Sequence, residues 1–182
     1  MPEESTEQII ANTRRWVERA VIGLNLCPFA PAPQRLGLVH YAVSAARHED
    51  ELLEDLAAEA KALNAKDPAE RETTLLIHPW VLEDFLTFND FLGQAEALIE
   101  DLGLLGELQV ASFHPEYLFA DSPEGDMGNY TNRSPYPTLH LLREASVEKA
   151  VEGRDTSEIY LNNIRTLQAL GLVGWRQLFR DE

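Results

Sequence analysis

Apolar side chains recur at helical spacing near the start of the chain, at Ile9, Ile10, Trp16, Val17, Ala20, Val21 and Leu24, which predicts a helix over residues 6–24. Ser5 with Gln8 fits a capping box at its start, and Gly23 with Pro28 supplies stop signals. A proline-rich loop over 27–37 follows. Val39, Tyr41 and Val43 then alternate with Leu38, His40 and Ala42, the pattern of a strand over 38–45. Leu52, Leu53, Leu56, Ala60 and Leu63 form the stripe of a helix over 49–64, whose acidic residues Glu51, Glu54, Asp55 and Glu59 read as a wet face. The apolar run 73–77 suits a buried strand ending at His78-Pro79. A phenylalanine-rich helix is expected over 82–102, with Gly103 closing it, and a strand over 108–113 ends at His114-Pro115. A fourth strand is expected over 138–142. Helices follow over 147–152 and 157–170, with Asp155 and Glu158 at the start of the second and Gly171 at its end, and a short one near Trp175.

The order strand–helix–strand–helix–strand implies two crossover units and so three parallel strands. The expected fold is α/β: a small, mainly parallel sheet of three to four strands with flanking helices and a helical C-terminus. A split, ferredoxin-like α+β arrangement is the alternative. At 182 residues with 45% hydrophobic content, the chain is expected to form one α/β domain over 1–182, with a helical C-terminal extension over about 146–182.

Charge and cysteine content narrow the partners. The net charge of −16 opposes phosphate neutralisation, so nucleic acid and anionic membrane faces are unlikely partners on electrostatic grounds. Cys27 is the only cysteine, which excludes an intrachain disulfide and a multi-cysteine zinc site. The opening residues Met1 to Thr6 are acidic and polar, unlike a secretory signal, and no apolar run approaches the length of a membrane helix, so a soluble, cytoplasmic protein is expected.

Ligands of open parallel sheets bind beyond the carboxyl ends of the strands. Here those ends carry Arg47 with His48, His78, and His114. The segment 114–137 has no regular periodicity but contains Tyr117, Phe119, Tyr130 and Tyr136, an aromatic content foreign to disorder. Its end, from Asn129 to Pro137, holds Asn132, Arg133, Ser134 and Tyr136 among prolines, a stiff loop suited to a carboxylate or phosphate. The same residues equally suit a loop locked by its own hydrogen bonds.

Three stretches carry a family resemblance. They are Val21-Ile22-Gly23-Leu24-Asn25-Leu26-Cys27-Pro28-Phe29, then Ala111-Ser112-Phe113-His114-Pro115, then Thr131-Asn132-Arg133-Ser134-Pro135-Tyr136-Pro137 with Leu139-His140-Leu141-Leu142-Arg143-Glu144. In this order they resemble the signatures of a bacterial protein family, domain of unknown function 1415. The resemblance spans nearly the whole chain and implies that the three motifs are parts of one site, without naming a reaction.

Several chemistries fit these residues. Cys27 is a candidate nucleophile, although it follows the C-terminal end of a predicted helix, where the dipole raises a thiol pKa, and free cysteine is commonly packed. His114 is a candidate general acid or base, with Asn132, Arg133, Ser134 and Tyr136 binding an anionic small molecule and Arg143 as a second clamp. His78 and His140 would stand behind them. His140 and Arg143 fall on opposite faces of a regular strand, so one of the two is structural. A metal site using His78, His114 and His140 with Asp121, Asp126 or Cys27 is another reading, but no metal-ligand spacing is present. Dinucleotide, phosphate-loop and Gly-x-Ser-x-Gly signatures are absent, so no nucleotide cofactor is indicated and the cofactor is left open. The leading expectation is a small enzyme acting on an anionic small molecule by histidine-assisted proton transfer. The alternatives are a non-catalytic ligand-sensing or partner-binding module and a metal-dependent enzyme.

Overall fold

Side chains of the central strands alternate between two apolar layers, and that alternation sets the architecture. The computed structural model describes residues 3–181; Met1, Pro2 and Glu182 lie outside the described residues. Strands β1 (Val39–Val43), β2 (Thr73–Ile77), β3 (Leu108–Phe113) and β4 (Thr138–Arg143) form one sheet in the order β1-β2-β4-β3. β1 and β2 are parallel, whereas β4 runs antiparallel to both β2 and β3. The sheet is therefore mixed, and the expected mainly parallel pairing is corrected. β1, β2 and β3 do share one direction, as two crossovers require, but β4 enters between β2 and β3 and removes their direct pairing. A run of helical crossovers cannot reveal such an insertion, because strand order is not encoded in hydrophobic period.

Helices α3 (Glu49–Ala65) and α4 (Phe85–Asp101) cover one face. There Leu52, Leu56, Phe88 and Phe91 pack on Leu76, Leu108, Leu139 and Leu141. The opposite face meets α1 (Thr6–Trp16), its continuation Val17–Ile22, and α6 (Thr156–Gln177). Trp16, Val17, Val21, Leu167 and Trp175 pack there against Leu75, Val39 and Phe113. Every residue of β2 is buried, as its continuous apolar run predicts for a strand covered on both faces. α5 (Glu144–Val151) leaves directly from the end of β4.

Several helix ends follow the sequence signals. Ser5 accepts from the Gln8 amide at the start of α1, and Asp155 accepts from the Ser157 amide at the start of α6. Gly171, at φ 68° and ψ 173°, interrupts α6, separating the short final helix around Trp175. The first helix differs from expectation in its second half, where Val17–Ile22 widens to π-type turns and the Gly23 amide reaches the Glu18 carbonyl at 3.1 Å. A Cβ on Gly23 would lie 2.2 Å from the Arg19 carbonyl oxygen, so the close turn requires glycine. The helix stops not at Gly23 but at Asn25, in the left-handed region with φ 54°. The amides of Asn25 and Leu26 return to the carbonyls of Ile22 and Val21, closing a Schellman motif.

The phenylalanine-rich helix expected over 82–102 also begins later than its apolar pattern suggests. Leu82 has φ 61°, and Asp84 caps α4 by accepting from the Thr87 amide. The proline-rich loop contains a short helix, α2 (Pro31–Arg35), and the aperiodic segment contains a 3-10 helix, Met127–Asn132.

Candidate functional site

A cavity of about 190 Å³ lies between the sheet and the N-terminal helix. Its floor is Thr73 and Leu75 of β2, Phe113 of β3 and His140 of β4. Its roof includes Trp16, Val17 and Val21, and the loop bearing Leu26, Cys27 and Phe29 closes one side. Asn132 and Thr131 complete it. The site is thus on a face of the sheet, beneath α1, rather than at the carboxyl ends of the strands.

His140 is the most informative polar group in this wall. It pairs across the sheet with Leu75 on one side and Ala111 on the other. Its Nε2 is 2.8 Å from Thr73 Oγ1, and the same hydroxyl lies 2.5 Å from the Leu141 carbonyl oxygen. A carbonyl only accepts, so the threonine proton goes to Leu141 and the histidine Nε2–H donates to threonine. In the neutral ring, Nδ1 then carries the lone pair, and no protein hydrogen bond reaches it among the described residues. Burial pushes the His140 pKa down to about 4, so the ring is neutral near pH 7. His140 is surrounded by protein yet only partly buried, because it also lines the cavity.

Cys27 shares that cavity. Burial raises its pKa, partly opposed by the amides of Phe29 and Ala30, which face the sulfur at the approach to α2. The thiol is therefore held protonated. α2 was not visible in the sequence, and the Phe29 and Ala30 amides just before it act against the unfavourable dipole expected from the preceding helix.

His78 and His114 are occupied by backbone. His114 is fully buried, its Nε2 donating to the Leu82 carbonyl at 3.0 Å and its Nδ1 accepting from the Glu116 amide at 3.0 Å. Burial lowers its pKa. His78, also fully buried, has Nδ1 3.0 Å from the Val81 carbonyl, and desolvation brings it to about 4. The two imidazoles thus hold successive carbonyls of the turn in which Leu82 adopts its left-handed conformation. Both flank Phe88, at ring distances of 5.7 and 5.0 Å.

The loop residues divide. Asn132 reaches the first cavity and donates from Nδ2 to the Ser112 carbonyl. Ser134 donates to the Tyr136 carbonyl, and the Tyr136 hydroxyl donates to Glu4 while accepting from Asn12. Arg143 sends Nη2 to the carbonyls of Leu63, Lys66 and Arg71, tying the end of α3 to the sheet. Arg133 lines a second cavity of about 380 Å³, where its Nε donates to the Tyr117 carbonyl and its guanidinium lies 4.5 Å from the Tyr130 ring centroid. Trp16 stands in the wall of both cavities. The structure therefore brings Cys27, His140 and Asn132 together, places Arg133 and Ser134 in the neighbouring cavity, and sets His78, His114 and Arg143 elsewhere.

Sequence reasoning missed Thr73 and Trp16, both of which look like ordinary core positions. It also missed Asn129, fully buried, which accepts from the Phe119 amide and donates to the Pro123 carbonyl. An amide within an aromatic-rich aperiodic stretch was its only signal. No cluster of three or more metal-ligating side chains occurs among the described residues. No described helix is long and apolar enough to cross a membrane.

Fold and cavity together define a mixed α/β protein with a largely apolar pocket on one sheet face. A sequence model described as protein of unknown function, DUF1415, matches residues 8–177, and the chain belongs to that family. No curated protein and no solved structure matches it.

Proposed function

We propose that this protein binds a small, largely apolar molecule, about the size of one substituted ring, in the cavity beneath α1. The observation that supports this reading is the His140 Nδ1 lone pair in a largely apolar wall, which favours a ligand bearing a hydrogen-bond donor. Pockets of this kind, apolar with few convergent polar groups, are the usual form of small-molecule sites. A volume of about 190 Å³ exceeds the roughly 150 Å³ at which an apolar protein cavity accepts benzene. Burial also keeps both His140 and Cys27 uncharged, which favours binding over ionic chemistry.

Phenol and toluene, similar in shape, test the proposal. Methyl resonances of Leu75 and Val21 should shift on titration, and phenol should gain over toluene by about tenfold, the worth of one hydrogen bond. His140→Leu should remove that gain while toluene binding persists. Absence of saturable shifts at these methyls with either probe would refute the reading. A catalytic role for Cys27 has its shared cavity with His140 in its favour, and phenol-sensitive alkylation of the thiol would place it against the ligand.

A further inference from the structure

The second cavity has a different chemistry from the first. Arg15 and Arg133 line it, and no aspartate or glutamate does, in a chain with 31 acidic residues against 15 lysines and arginines. Arg15 is partly compensated, since its Nη2 lies 3.5 Å from Asp181. Arg133 has no such partner, because no ion pair among the described residues includes it. Arg133 also lines a hollow bearing Asp84, Glu116 and Glu124, none of which forms an ion pair with it among the described residues.

The guanidinium is also preset in orientation. Its Nε–H is committed to the Tyr117 carbonyl, its face rests on Tyr130, and Tyr130 is itself braced edge-on by Trp175 at 5.0 Å. Nη1 and Nη2 make no protein hydrogen bond among the described residues. A fixed planar fork with free donors matches two coplanar oxygens. The surrounding walls are aromatic, with Trp16, Tyr130, Trp175 and Phe179. The net charge of −16 repels anions only over a distance of about 8 Å at physiological salt, so contact chemistry decides the outcome.

We propose that this cavity is a separate binding site for a small aromatic carboxylate, with Arg133 holding the carboxylate and the Trp16–Trp175 walls holding the ring. A planar carboxylate uses the fork fully, whereas a tetrahedral phosphate monoester places its third oxygen among aromatic carbons. The proposal does not rest on the first cavity, which has no cation to accept a carboxylate.

The experiment is a titration of the full chain with benzoate, its neutral isostere benzamide, and phenyl phosphate. It is followed by the Arg133 Nε–Hε resonance and the indole resonances of Trp16 and Trp175, with Trp80 as an internal control. Benzoate should shift Arg133 and both indoles, bind at least tenfold more tightly than benzamide, and exceed phenyl phosphate. Arg133→Met should remove the preference for benzoate over benzamide. If that variant fails to fold, the wild-type comparison with mapping on Arg133 decides alone. Equal binding of benzoate and benzamide, tighter binding of phenyl phosphate, absence of saturation, or shifts at Trp16 and at the Leu75 and Val21 methyls without Arg133 and Trp175 would each overturn the proposal. The last result would leave the reading of the first cavity standing.

Discussion

Thr73 and His140 fix each other's protons. The threonine hydroxyl, 2.8 Å from the imidazole Nε2, gives its proton to the Leu141 carbonyl and accepts the histidine's, which leaves the opposite ring nitrogen as an acceptor in the cavity wall. Replacing Thr73 by valine keeps the shape but removes this partner. Thr73→Val should cost about 1–3 kcal/mol in urea unfolding, the penalty of stranding a buried donor. It should also shift the two imidazole nitrogen resonances toward a mixture of tautomers. Unchanged nitrogen resonances would contradict the assigned tautomer.

Acid should weaken the fold over a defined window. His78 and His140 have folded-state pKa values of about 4, below the unfolded value of about 6.5. Unfolding therefore takes up protons between these limits. The stabilising contribution is complete above pH 6.5, declines as pH falls toward 4, and stops changing below that. Each imidazole contributes up to about 1.4 kcal/mol per pH unit within the window. Urea midpoints measured across it should reveal this slope, and His78→Gln, which removes one titrating group, should reduce it.

Gly23 should not tolerate a side chain. A Cβ would meet the Arg19 carbonyl oxygen at 2.2 Å, and that atom is backbone rather than a movable side-chain end. Gly23→Ala should lower stability by about 2 kcal/mol or more despite alanine's higher helix propensity. Denaturant unfolding measures the loss, and a stabilised variant would refute the close approach at Gly23.

Cys27 should behave as a protected thiol. Burial raises its pKa against the pull of the Phe29 and Ala30 amides. The pH midpoint of iodoacetamide modification should lie above the free-thiol value of about 8.5, and the rate should be slow compared with unfolded protein. A midpoint below neutrality would instead identify an activated nucleophile.

Local patterning carried much of this fold into view. The four strands, the acidic helix α3, the cap at Ser5 and the break at Gly171 all follow from hydrophobic period and capping chemistry. The insertion of β4 between β2 and β3 did not, because period reports which face a residue shows and not which strand lies beside it. The π-type turns after Trp16 escaped for a related reason, since a widened turn keeps nearly the same apolar face. At the site, the residues around Cys27 and Asn132 were legible as motifs, and both reach the first cavity. The His-Pro strand ends looked equally chemical, yet their imidazoles serve the Val81 and Leu82 carbonyls. That use depends on a turn that bends back over the sheet, which the linear chain does not announce.

The position of β4 also orders events during synthesis. Trp16, Val21 and Cys27 leave the ribosome before His140, which belongs to the last in chain order of the four described strands, the one that joins β2 to β3. A nascent chain halted before residue 138 has a roof and a floor that lacks His140, and two strands lacking their common neighbour. The pocket is therefore complete only once β4 has been made and inserted, and a ligand that uses the His140 Nδ1 needs that strand in place.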